Sequence, residues 1–144
     1  MKQINLFYQC SLPQLRNRLL LKKFMIKTAN KYKRPIASLN IIFCDDPYLL
    51  SINKQHLNHD FYTDIITFDL SLSPQDPIQA EIYISVDRVK DNASQLNIPF
   101  RKELHRVIFH GLLHLLGYKD KLKKDKLTMR TMEDTLLLLY FGHK

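Results

Sequence analysis

Residues 100–120 read FRKELHRVIFHGLLHLLGYKD, and the rest of the chain is organised around them. Leu104, Val107, Ile108, Leu112 and Leu115 recur at the spacing that lines one face of an α-helix, so a helix is predicted from Phe100 to Leu116. His110 and His114 stand four apart, about 40° around that helix, and both imidazoles leave the same side. Gly117 can end the helix by taking a left-handed conformation that side chains resist. The chain then turns and brings Asp120 back towards the two rings.

The pattern H-x-x-x-H-x-x-G-x-x-D has the layout of a metzincin zinc site with two changes: the last ligand is Asp, and Gly111 replaces the Glu that serves a zinc peptidase as base. Three protein ligands, His110, His114 and Asp120, leave a coordination position open, as in catalytic rather than structural zinc sites. Zn2+ is the expected cofactor, one per chain; a carboxylate ligand is less selective than a third imidazole, so other divalent metals fit as well. An open position on zinc activates water without a protein base. The missing Glu therefore argues against peptide hydrolysis and for phosphodiester cleavage, which relies more on metal and cationic charge. Beyond the metal ligands no catalytic residue is identified. His105, about 140° around the helix from His110, is read as lying on the surface or on the second face.

Charge supports a nucleic-acid partner. The chain has 144 residues and a net charge of +8. Residues 1–34 hold nine bases and no acids, residues 35–100 three bases and nine acids, and residues 101–126 eight bases and three acids. A polyanion thus meets two basic faces, one of them beside the histidine pair. At 45% apolar and 25% charged residues, the composition is that of a globular protein, expected to form a single domain over residues 1–144. Cys10 and Cys44 sit among apolar neighbours and read as reduced thiols. With no apolar run of membrane-spanning length and no signal peptide, a cytoplasmic location with no membrane contact is expected.

Taken in order, residues 3–8 suit a strand. Ser11 and Gln14 form a capping-box pattern for a helix ending near Asn30, with Leu12, Leu15, Leu19 and Ile26 on its apolar face. A strand over residues 36–44 follows, then a helix from Asp45 or Asp46 to Leu57, a polar loop with His59 and Asp60, and a strand at 63–68. After a loop from Ser71 to Gln79 come a strand at 81–85, a helix at 86–96 capped by Ser85, the histidine helix, and a last helix over about 126–140. This order implies an α+β fold, a small mixed sheet packed by helices, with the metal site at the end of a central helix. Asp64 and Glu81 read as hydrogen-bonding groups at strand ends. Glu133 and Asp134 read as acids at a helix start, where the dipole favours them. Arg88 either holds a phosphate or pairs with Asp91.

His110 through Tyr118 resemble the signature helix H-G-x-L-H-L-x-G-Y-D-H of the YbeY family of bacterial endoribonucleases. Thr63–Phe68 is similar to the family's T-D-V-L-S-F segment, Glu81–Ser85 to G-D-I-x-I-S, and Met132-Glu133 to the M-E element of its last helix. The resemblance spans about Asn53 to Glu133. It implies a metal-dependent, usually zinc-dependent, endoribonuclease of single-stranded RNA. It further implies a role in maturing the 3′ end of 16S ribosomal RNA and in ribosome quality control, with ribosomal RNA and the small ribosomal subunit as partners. His110 and His114 carry over as ligands; the third histidine of the pattern falls on Asp120, and the Asp before it on Lys119. An Arg of the family's loop falls on Leu57, so that either His59 or a neighbouring lysine takes its place or the phosphate contact is made differently, and Ala80 replaces a Gly. The RNA-binding candidates are His59, Arg88, Lys119 and Lys121. The rival reading is an RNA-binding ribosome-assembly factor that keeps a structural metal and cuts nothing.

Overall fold

Strands β1 (Ile4–Tyr8), β2 (Ile36–Cys44), β3 (Ile65–Asp69) and β4 (Ile78–Ser85) form one sheet in the order β1-β2-β4-β3, in a computed structural model that describes residues 2–13 and 15–142. β1, β2 and β4 run parallel, and β3 pairs antiparallel with β4 at the edge. Parallel neighbours need a long crossover, and α1 (Arg18–Lys31) provides it between β1 and β2. α2 (Asp46–Leu57) follows β2, and α3 (Val86–Leu96), α4 (Phe100–Leu115) and α5 (Lys123–Phe141) follow β4. The expected α+β class with a mixed sheet is the observed one.

Alternation along the strands sorts side chains onto two faces. Leu39, Ile41 and Phe43 of β2 and Ile78, Ala80, Ile82 and Ile84 of β4 join Met25 of α1 and Leu104, Ile108 and Leu112 of α4 in the main core. On the other face Cys44 and Ile66 are buried against Leu49 of α2. The apolar stripe expected of α4 is buried throughout. Gly111 lets this helix approach the sheet: a Cβ there would come within 2.9 Å of the Cδ1 atoms of both Ile65 and Ile82. The side chain absent from position 111 therefore leaves room for packing on the sheet side.

Local signals placed several element ends correctly. The Asp45 side chain caps α2 through the Tyr48 amide, and Ser85 caps α3 through that of Arg88. Gly117 follows α4 with φ of 103°, while the amides of Gly117 and Tyr118 donate to the carbonyls of His114 and Leu113, a Schellman closure. The first helix differs from expectation. Leu12 and Leu15 are buried, yet they lie in a non-helical segment, and α1 starts only after Asn17, itself left-handed at φ of 54°. Pro13 disfavours a helical Leu12, and both leucines reach the core from the loop. Gln14 of the expected capping box lies outside the described residues. The inner stripe of α1 is Leu21, Met25, Thr28 and Ala29, whereas Leu19 is exposed. β4 begins at Ile78, inside the expected loop, and α5 begins at Lys123, a turn earlier than expected.

One further expectation is narrowed and another fails, for a common reason. His105 is fully buried, stacked on Tyr140 with ring centroids 5.1 Å apart, and its Nδ1–H donates to the Arg101 carbonyl at 2.7 Å. It occupies the second face, not the surface, because α5 covers that face. Burial pushes its pKa down to about 4, so the ring is neutral. Glu133 sits in the middle of α5, not at a helix start, and is likewise buried. Helix-dipole attraction acts only within the first turn and cannot explain it.

Candidate metal centre

His110 and His114 leave the same side of α4, with ring centroids 4.6 Å apart. Asp120, returned by the turn after Gly117, places Oδ2 3.2 Å from His110 Nε2 and 3.3 Å from His114 Nε2. One ligand atom from each residue lies within 4.8 Å of the others. Atoms bound at 2.0–2.1 Å to a tetrahedral zinc are about 3.3 Å apart, so the two measured edges suit such an ion. Opposite the cluster, His110 Nδ1–H donates to Glu133 Oε2 at 2.6 Å. That bond puts the ring proton on Nδ1 and turns the Nε2 lone pair towards a carboxylate oxygen. Two acceptors in this position repel unless a metal ion or a second ring proton lies between them. The residues present fit a divalent metal, and the His–Glu pair is a usual support for a metal-binding imidazole.

Glu133 is itself held. Arg106 donates to Glu133 Oε1 at 3.2 Å and to Asp134 Oδ1 at 3.0 Å, and lies 3.4 Å from Glu103 Oε1. Burial opposes the charged form of His110, but the hydrogen bond and charge of Glu133, with Asp120 and Asp64 nearby, shift its pKa upwards. Asp64, read from sequence as a strand-end group, is brought beside this cluster. Its side chain accepts from Asn92 Nδ2 at 3.1 Å, and burial raises its pKa despite the neighbouring His110.

Arg34, one of a run of basic residues in the sequence, anchors the end of the histidine helix. It is buried and donates to the Leu115 carbonyl, to Asp69 Oδ2 at 2.9 Å, to Ser71 Oγ and to the Asp76 carbonyl. Burial would raise the Asp69 pKa, but hydrogen bonds from Arg34 and Ser71 hold it below the usual carboxylate range. Glu81, the other strand acid, accepts from the Tyr83 hydroxyl on the same strand and lies outside the site.

Two grooves, each of about 480 Å³, share His110, Asp120, Asp64 and Ile65. One runs between α3, α4 and α5 and carries Arg106, Lys126 and Arg130. The other runs under the loop before β3 and carries His59, Phe61, Thr63, Thr67 and His114. Of the RNA-binding candidates, the structure brings only His59 into a groove with the cluster. Arg88 is paired with Asp46 at 3.0 Å and Asp91 at 3.7 Å and lies over the Tyr62 ring. Lys119 and Lys121 are exposed on the turn after α4 and line neither groove. Cys10 and Cys44 are free, and burial pushes the Cys44 thiol up to about 12. Among the described residues no helix is long and apolar enough to cross a membrane.

The family model described as endoribonuclease YbeY matches residues 8–140. A protein of Cytophaga hutchinsonii named endoribonuclease YbeY is 52% identical over 126 residues, 88% of this chain and 87% of its own. One of Porphyromonas gingivalis with the same name is 41% identical over 140 residues, 96% of this chain and 91% of its own. A solution structure of a Thermotoga maritima protein superimposes with a TM-score of 0.65 at 26% identity, covering 96% of this chain and 89% of that one. The chain belongs to the endoribonuclease YbeY family.

Proposed function

We propose that this member of the family is a metal-dependent endoribonuclease of single-stranded RNA, in which His110, His114 and Asp120 hold one divalent cation, zinc foremost. The observation that carries the reading is the convergence of three candidate ligand atoms where two grooves meet, with the Asp120 oxygen 3.2 and 3.3 Å from the two imidazole nitrogens. A bound cation of this kind supplies Lewis acidity at the scissile phosphate and lowers the pKa of water. The protein's own part is orientation. Glu133 keeps the His110 proton on Nδ1 and aims Nε2 at the site. Arg106 holds Glu133 in turn, while Lys126 and Arg130 are placed to attract the RNA backbone. Gly111, packed against Ile65 and Ile82, leaves no base of the peptidase type.

The family resemblance extends the proposal to the cell. Ribosomal RNA is the substrate, cut in maturation of the 16S 3′ end and in ribosome quality control, with the small ribosomal subunit as partner and the cytoplasm as location. The non-catalytic alternative, an assembly factor with a structural metal, draws support from the aspartate at position 120. Metal content separates these readings from a wrong ligand count. The purified protein is expected to hold about one zinc per chain and to cut single-stranded RNA, and Asp120→Ala to lose both. Stoichiometric metal retained in Asp120→Ala would remove that residue from the ligand set. Metal-loaded protein that binds RNA without cutting it would favour the alternative.

A further inference from the structure

The two grooves that meet at the His110–Asp120 cluster differ in chemistry. Lys126 and Arg130 line the first, beside the carboxylates of Asp64, Glu103, Asp120 and Glu133 and beside Arg106, which is paired with Glu103 and Glu133. Among the described residues the second has no lysine or arginine in its wall, so backbone charge is not what it is built to hold. In their place it presents an aromatic pair. Phe61 is half exposed, and its ring lies 5.0 Å from that of His59 at 53°. A single exposed phenylalanine is ordinary on a protein surface; the way this one is mounted is not. Asn53 is almost fully buried, its Nδ2 donates to the Phe61 carbonyl at 2.9 Å, and its own carbonyl accepts from the His59 amide at 3.2 Å. One buried amide residue thus fixes the backbone of both ring-bearing positions. Tyr62, the next residue, lies under the Arg88 guanidinium 5.5 Å away and does not line the groove. Only Phe61 and His59 carry rings of this loop into the groove that reaches His114 and Asp120.

We infer that the His59–Phe61 end of the groove is a stacking subsite for one unpaired nucleobase of the RNA strand, adjoining the nucleotide whose phosphate lies at the His110–His114–Asp120 cluster. The inference rests on RNA being the ligand and adds how the strand is seated. Backbone charge is held on the α5 side by Lys126 and Arg130, and a base lies flat on Phe61 on the other. A π-face is common to all bases, so the subsite selects for single-strandedness and tolerates sequence. A paired base keeps its stacking inside the duplex and cannot reach the ring. Thr63 and Thr67, which line the same groove, sit where hydroxyls can meet the edge of the base.

The test uses the full-length zinc-loaded protein and an oligouridylate, with a single abasic nucleotide moved stepwise across the cleavage position. Binding is read by fluorescence anisotropy. The wild type is expected to lose about ten-fold in affinity when the abasic site occupies one particular position next to the cut. Phe61→Ala is expected to bind the intact strand about ten-fold more weakly, to be indifferent to the abasic site there, and to keep its zinc. Phe61→Trp is expected to restore both affinity and abasic sensitivity. Binding by Phe61→Ala within two-fold of wild type, or an equal loss to the abasic site in both proteins, overturns the subsite while leaving the nuclease reading intact. No RNA binding by the wild type at all overturns the nuclease reading, and the subsite with it.

Discussion

His105 and His110 lie five residues apart on one helix and have opposite fates. His105 is sealed among Phe109, Tyr140 and Phe141, neutral, with Nε2 buried and without a partner among the described residues. His110 is partly open, bound to Glu133 on one nitrogen, and faces Asp120 with the other. The difference arises outside the helix. α5 brings Tyr140 and Phe141 to one ring and Glu133 to the other. Burial without a charged partner silences a histidine, whereas burial beside a carboxylate orients it. The same division separates Gly111, pressed on the sheet, from His114, open to the groove.

The largest effect expected from breaking this division is that of Gly111→Glu, which installs the carboxylate of a zinc peptidase. Its stem would meet Ile65 and Ile82 and leave a charge buried in the core, so a loss of about 4 kcal/mol in unfolding free energy is expected, without gain of peptidase activity. Urea unfolding measures it; wild-type stability would show that position 111 tolerates a side chain.

The next effect belongs to His105. Its folded-state pKa, about 4, lies below the 6.5 of an exposed histidine, so the unfolded chain binds the proton more readily. Stability is therefore full above pH 6.5 and declines as pH falls from 6.5 to about 4, by up to about 3 kcal/mol. His105→Phe is expected to lack this component of the pH dependence. Parallel curves for the two proteins would show that the ring does not titrate with unfolding.

On the opposite side, Glu133→Gln keeps an acceptor for His110 but removes its charge. Zinc affinity, measured by competition with a chelator, is expected to fall 10- to 100-fold with the fold intact. Unchanged affinity would reduce Glu133 to a core ion pair with Arg106.

Legibility followed the range of the interactions. Ser85, Asp45 and Gly117 announce helix ends because each acts on amides or carbonyls within a few residues, and the structure has them there. Ser11 is an equally local signal, but α1 begins only after Asn17, and the buried Leu12 and Leu15 lie before it. Arg34 was invisible because its partners, Asp69 and Leu115, are 35 and 81 residues away. Phe61 stands in a loop that reads only as polar, and it is set apart by its mounting on Asn53 and its place in the groove.

The sequence by itself determined that His110 and His114 share one side of a helix and that the chain turns back at Gly117, since helical geometry and a left-handed glycine are properties of the backbone alone. The order of strands and helices along the chain determined the α+β class. Only the tertiary structure decided which nitrogen of His110 is free, because Glu133 reaches it from 23 residues away, across a helix packing that no local pattern records. The tertiary structure also decided that Gly111 is room for Ile65 and Ile82, and that a neighbouring histidine on the same helix is core.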